Sequence, residues 1–261
     1  MTVACVVLTM TACTKKTRWN GLDVYTVQKS FELTEAIPDS LFDEDYPRLD
    51  DDTSRLVQIT VDMQFVQSDN PDKEKVCKRI NAQLIEMLLR LSGELSPDSA
   101  VARYIDSTNI ELRKDIMASN LYDNLTGRVE YGHKDFINYR LVEETYLGGA
   151  HPSHLTTILR FDAKTGEFVA LDDVFSLLKH RTLEDMLLAK LMQDNGVNTL
   201  EGLQEKGLLE LNYLFVSNNF ALREDSIEFF YNEYDIAPYA YGPTTICLSY
   251  EQADSLMIKK D

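Results

Sequence analysis

The sequence predicts an α+β fold of antiparallel sheets with packed helices, divided into two small subdomains. Three observations carry this. Val57, Ile59, Val61, Met63 and Phe65 alternate with polar residues, the period of a half-buried strand. Cys77, Ile80, Leu84, Leu88 and Leu91 recur at helical spacing. Strand-rich and helix-rich stretches are segregated rather than strictly alternating, which disfavours a parallel α/β sheet.

In chain order, Leu22 and Val24, then Val27, Phe31 and Leu33, predict a first strand with an irregularity. An acidic loop follows, with Glu35, Asp39, Asp43, Glu44, Asp45, Asp50, Asp51 and Asp52 against Arg48, broken by Pro38 and Pro47. After the alternating strand, Asp69-Asn70-Pro71-Asp72 opens a helix. Asn70 is the cap, Pro71 sits in the first turn and the acids face the positive dipole end, so the helix runs to about Leu91. Ser96-Pro97-Asp98 starts a second helical stretch whose apolar positions extend through Leu112 and Ile116 to Leu121. From Gly127 the pattern reads as strands in a meander, at 128–132, 136–146 and 155–161 with a return through Phe168, and Asp162 to Gly166 supplies the hairpin turn. Helical stretches at 182–193 and 200–211 precede strands at 220–223, 227–231 and 244–248. The resulting boundaries are 1–13 for a leader remnant, 14–21 for a tether, and 22–126 and 127–261 for the two subdomains.

The net charge of −17, from 26 Lys plus Arg against 43 Asp plus Glu, argues against a nucleic-acid backbone as partner and is compatible with a cationic one. The same excess also serves solubility. Residues 1–13 are apolar, too short to span a bilayer, and end in Thr11-Ala12-Cys13, which resembles a lipobox. Cys13 is therefore the expected lipidation site, the lipid chain the expected membrane contact, and the cell envelope, facing periplasm or exterior, the expected location. Cys77 and Cys247 then remain, able to pair or to stay as free thiols.

The run Tyr146-Leu147-Gly148-Gly149-Ala150-His151-Pro152 is followed by 161–166, by Leu171-Asp172-Asp173-Val174-Phe175, by Asn219-Phe220 and by Tyr231 through Gly242. In that order and spacing these motifs resemble the domain of unknown function that forms the extracellular part of RsiV-type anti-sigma factors and accompanies PdaC-type peptidoglycan deacetylases. The resemblance covers about 130–256 most clearly, and the order of elements over 20–130 is similar to the small domain that usually precedes it. Leu147 departs from the small hydroxyl residue usual there. The resemblance implies an envelope sensing or binding module, with capture of a secreted cationic lysozyme or another cell-wall factor, and supplies no catalytic site, metal or cofactor.

Taken as residues alone, His151 and His154 have H-x-x-H spacing, which seats a metal only if Pro152 turns both imidazoles to one side and a carboxylate such as Glu143, Glu144, Asp172 or Asp173 joins them. Otherwise His151 is a turn residue bonded to backbone. Gly148 and Gly149 suit a sharp turn or bulge, and no lysine-bearing helix start follows them as a phosphate loop requires. Asp172 and Asp173 read as caps of the following helix. Ser153 beside His154 lacks a nucleophile elbow. Tyr234, Tyr239 and Tyr241, with Tyr231 and interrupted by Pro238, form the candidate binding surface, since tyrosine offers large contact area at low entropy cost. The expectation is a non-catalytic binding module; the alternative is a glycan- or peptidoglycan-modifying hydrolase or deacetylase acting near His151.

Overall fold

A computed structural model describes residues 17–19, 21–37, 54–114, 120–133, 135–210 and 212–259. Cys13 and most of the acidic loop lie outside the described residues. The chain divides into two compact units, Met1–Arg128 with Leu141–Leu155, and Val129–Arg140 with Thr156–Asp261. The boundary expected at 126/127 thus falls within a strand, and residues 141–155 return to the first unit.

The strands β1 (Thr17–Trp19), β2 (Leu22–Ala36), β3 (Ser54–Gln67), β4 (Asn120–Tyr131), β5 (Phe136–Tyr146) and β6 (Ser153–Asp162) follow the order β1-β2-β3-β4-β5-β6, the first unit holding β1 to β3, β4 up to Arg128 and the parts of β5 and β6 within 141–155. β2 and β3 form a long antiparallel ladder from Asp23↔Gln67 to Ala36↔Ser54. The alternation read from the sequence is real: Val57, Ile59, Val61, Met63 and Phe65 are fully buried. Against this face pack α1 (Pro71–Leu88) and α2 (Pro97–Leu112). The Asn70 side chain accepts from Asp72 N at 3.0 Å, and Ser96 accepts from Ser99 N at 3.2 Å, so both helices begin at side-chain caps followed by proline.

One expectation is corrected here. The second helix stops at Leu112, and Leu121 is buried in β4. β4 pairs with β3 in parallel, from Leu56↔Asn120 to Met63↔Gly127, through a helical crossover, while the strands expected as a meander from Gly127 on follow one another in the order β4-β5-β6. The α1–α2 segment is long enough to make that crossover, whereas a tight turn is not.

In the second unit, β7 (Phe220–Leu222), β8 (Ser226–Tyr231) and β9 (Thr244–Ser249) form an antiparallel sheet in that order, joined by α3 (His180–Asp194), α4 (Leu200–Gln204) and α5 (Tyr250–Ala253). Its core gathers Leu183, Leu187 and Leu191 of α3 with Phe175, Phe220, Phe229, Ile246 and Leu248. Rings of Phe175 and Phe220 approach Phe229 at 5.9 and 5.7 Å. The helix expected over 200–211 ends at Gln204, because the chain takes a left-handed turn at Gly207 (φ +83°) and again at Leu209 (φ +56°). Among the described residues no helix is long and apolar enough to cross a membrane.

Candidate functional site

Where that helix ends, the second unit builds its most exposed aromatic surface. Leu209 N donates to Ile236 O at 2.8 Å, and Asn212 Nδ2 donates to the carbonyls of Tyr234 (2.8 Å) and Asp235 (3.2 Å). The segment after Gly207 is thereby laced to the loop 232–242. Tyr234 N closes the same loop on Ala237 O at 2.9 Å, and Asp235 Oδ2 accepts from Asn232 N at 2.7 Å.

Side chains project from this frame. Tyr213 is 88% exposed and Tyr234 57%, with Phe215 and Tyr241 also exposed. Tyr239 is half-buried, its ring 6.0 Å from that of Tyr234. Tyr231 does not belong to the surface: it is fully buried, its hydroxyl donating to Phe215 O at 2.8 Å and its ring meeting Phe215 edge-on. Strand alternation explains the difference, since Tyr231 lies in register with the inward residues Ile227 and Phe229 of β8.

Tyr234 adopts φ +68°, a region that bulky residues seldom occupy. Such a conformation costs on the order of 1–3 kcal/mol and persists because the surrounding bonds fix it. A cavity of about 190 Å³ opens beside it, lined by Glu210, Asn212, Tyr234, Ile236, Ala237 and Pro238. The sequence reading missed Glu210, Asn212, Tyr213 and Phe215 as surface residues: it placed Glu210 in a helix running through 211 and gave 212–219 no element. Gly207 was the available signal for the break.

The residues around His151 are arranged differently. Gly148 and Gly149 have φ +90° and +109°, and the Tyr146 hydroxyl donates to Gly149 O at 2.8 Å, which makes this run a tight bend. His151 is exposed, its Nδ1 2.9 Å from Pro152 O. His154 Nε2 stands 3.8 Å from Glu144 in the same unit, and Asp172 of the second unit stands 3.1 Å from His180. Asp173 Oδ2 accepts from Ala170 N at 2.8 Å and so closes a 3₁₀ turn at Leu171–Asp173. Among the described residues no three His, Cys, Asp or Glu side chains are placed to hold a metal ion.

Two further polar groups bear on chemistry. In the first unit Asp123 is buried, its Oδ2 accepting from the Tyr104 hydroxyl at 2.6 Å, and its Oδ1 has no hydrogen-bond donor among the described residues. Burial pushes its carboxyl up to about 6, the neighbouring Glu143 charge adding to the rise while the Tyr104 bond opposes it. Cys77 and Cys247 are free thiols, the first buried and the second exposed. Burial raises Cys77 to about 11, far from the low values that make a thiol nucleophilic.

Residues 172–251, which include the aromatic loop 231–242, match the DUF3298 family, described as a protein of unknown function. Among solved structures, the chain is similar to a DUF3298 family member from Bacteroides fragilis NCTC 9343, with a TM-score of 0.73 and 25% identity over 90% of this chain and 94% of that one. It also shares its fold with a DUF3298 family protein from Pseudomonas aeruginosa PAO1, with a TM-score of 0.53 and 15% identity over 88% and 94% of the two chains. No functionally curated protein matches the chain.

Proposed function

We propose that this chain is a cell-envelope protein, anchored by a lipid on Cys13, that works by binding rather than catalysis and captures a cationic envelope or secreted protein such as a lysozyme. The observation that carries the reading is two loops hydrogen-bonded to each other, one bearing the exposed Tyr213 and Phe215 and the other Tyr234, Tyr239 and Tyr241. Exposed aromatics on a pre-organised backbone supply contact area with little ordering cost on association. The acidic balance of the chain, −17, supplies long-range attraction for a cationic partner. The lysozyme and the anchor come from the resemblance to RsiV-type ectodomains and from the lipobox-like N-terminus.

The test is a plasmon-resonance titration of lysozyme against cytochrome c, a basic protein without relation to cell walls, across rising salt. Specific capture keeps lysozyme binding, with salt acting mainly on the association rate, as the screening length falls from about 10 Å at 0.1 M to about 3 Å at 1 M. Equal binding of the two proteins, or of neither, defeats the reading. For the anchor, Cys13→Ser is expected to leave the membrane fraction, and retention there at the wild-type level rules the anchor out.

A further inference from the structure

The cavity beside Tyr234 is too small for a drug-sized ligand, for which sites run to about 300–1,000 Å³. Its 190 Å³ has the scale of one amino-acid side chain. Its walls divide by chemistry. Ile236, Ala237 and Pro238 are apolar, the Tyr234 ring supplies a π surface, and Glu210 supplies a carboxylate. Glu210 is exposed and makes no hydrogen bond or ion pair among the described residues, so its charge is available to a ligand. An apolar sleeve that has an aromatic face and a free carboxylate matches a chain of methylenes bearing a single positive charge.

We propose that this cavity receives the side chain of one lysine presented by the binding partner. The proposal rests on the reading of this face as a recognition surface, and it names the group the surface reads. An anionic side chain meets Glu210 unfavourably, and a neutral aliphatic one leaves the carboxylate without a partner. The backbone around the cavity is fixed before any ligand arrives, by the Asn212 bonds to Tyr234 O and Asp235 O, by Leu209 N to Ile236 O, and by Gln204 Nε2 to Leu209 O at 3.2 Å. A lysine therefore enters a formed site and loses only its own freedom. Tyr234, which lines the cavity, is held in its left-handed conformation at a local cost in strain.

The probes are Nα-acetyl-lysine methylamide and its uncharged analogue Nα-acetyl-norleucine methylamide, titrated at millimolar concentration into the isotope-labelled full chain while amide resonances are followed. The expected result is a saturable shift of the Tyr234, Ile236 and Ala237 amides with the lysine probe and little with norleucine. Glu210→Gln, at a position whose side chain is exposed and has no partner among the described residues, is expected to fold normally and to weaken the lysine probe by roughly fivefold, the upper end for an exposed ion pair. Equal shifts from both probes, no saturable shift from lysine, or an unchanged response in Glu210→Gln each overturns the proposal. If the lysine probe saturates the cavity while lysozyme fails to bind, the partner is wrong and the site stands. If lysozyme binds wild type and Glu210→Gln alike, the partner stands and the site falls.

Discussion

Arg160 is the residue on which the second unit should depend most. It is 2% exposed, and no carboxylate faces it among the described residues. Instead Nε donates to Val169 O at 3.1 Å, and Nη1 to Ile158 O at 3.1 Å, Asn218 O at 2.9 Å and Phe220 O at 2.9 Å. The guanidinium also lies 3.7 Å from the centroid of the Phe220 ring. Burial disfavours its charge and pushes its pKa down to about 9, so it is still protonated at neutral pH. Arg160→Met keeps much of the apolar stem and strips the donors from four carbonyls. Leaving a buried acceptor unsatisfied costs about 1–3 kcal/mol. The three in buried bonds, Val169, Ile158 and Phe220, total roughly 3–9 kcal/mol, against which removal of the buried charge returns several. The net loss is about 3–5 kcal/mol, a large part of the roughly 5–15 kcal/mol that hold a domain folded. Urea unfolding followed by circular dichroism, with hydrogen exchange at the Ile158 and Phe220 amides, reads this directly. A midpoint shift worth less than about 1 kcal/mol, with exchange unchanged, refutes the view that Arg160 is the polar tie of this unit.

Two other expectations follow from buried groups. Asp123 has a folded-state pKa of about 6 against the ordinary 3.8, so between those values the folded chain binds more protons than the unfolded one and the first unit loses stability as pH rises from about 4 to 6. Asp123→Asn should abolish that slope in denaturation midpoints and be at least as stable as wild type at neutral pH; an unchanged slope assigns the effect elsewhere. Cys247 should react with a thiol-specific disulfide reagent in the native protein and Cys77 only on unfolding, given their exposures and the pKa of about 11 at Cys77; early labelling of Cys77 counts against the packing of α1 on the sheet.

Much of this fold is legible wherever a single period and a local stop signal agree. The Asn70-Pro71 and Ser96-Pro97 starts, the alternation in β3, and β5 over Phe136–Tyr146 all appear as the sequence predicts. Only the end of β4 was read as a strand, from 128 on; its first part was hidden because the buried positions Leu121, Asp123 and Leu125 place a carboxylate between two leucines, which reads as polar interruption. Only the tertiary partner Tyr104, on α2, makes that aspartate tolerable inside. The division of the chain was equally out of reach, since residues 141–155 join the first unit across a long sequence separation. At the aromatic surface, Tyr234, Tyr239 and Tyr241 could be nominated from composition. Glu210 and Asn212 could not, because their roles depend on a helix that ends about two turns earlier than its expected end at 211.

Asparagine explains why irregular loops in the second unit can hold a fixed shape. β6 is an edge strand, and its outward backbone groups would be open to pairing with another chain. Asn232 Oδ1 accepts from Thr156 N at 2.7 Å and its Nδ2 donates to Thr156 O at 3.1 Å. Asn219 accepts from Ile158 N at 2.6 Å and donates to Thr156 O at 2.7 Å, while Arg160 takes Ile158 O. Side-chain amides, each with one donor end and one acceptor end, thus stand where a neighbouring strand would. Asn138 does the same for β7, accepting from Leu222 N at 3.1 Å and donating to Leu222 O at 2.9 Å. An aspartate at any of these positions keeps the shape and loses the donor, so a carboxylate would face a carbonyl oxygen with no proton between them. The same residues that seal the edge also begin the loops that follow: Asn232 leads into Tyr234, and Asn219 follows the turn that carries Phe215. Edge protection and placement of the aromatic surface are therefore one constraint, carried by the same two side chains.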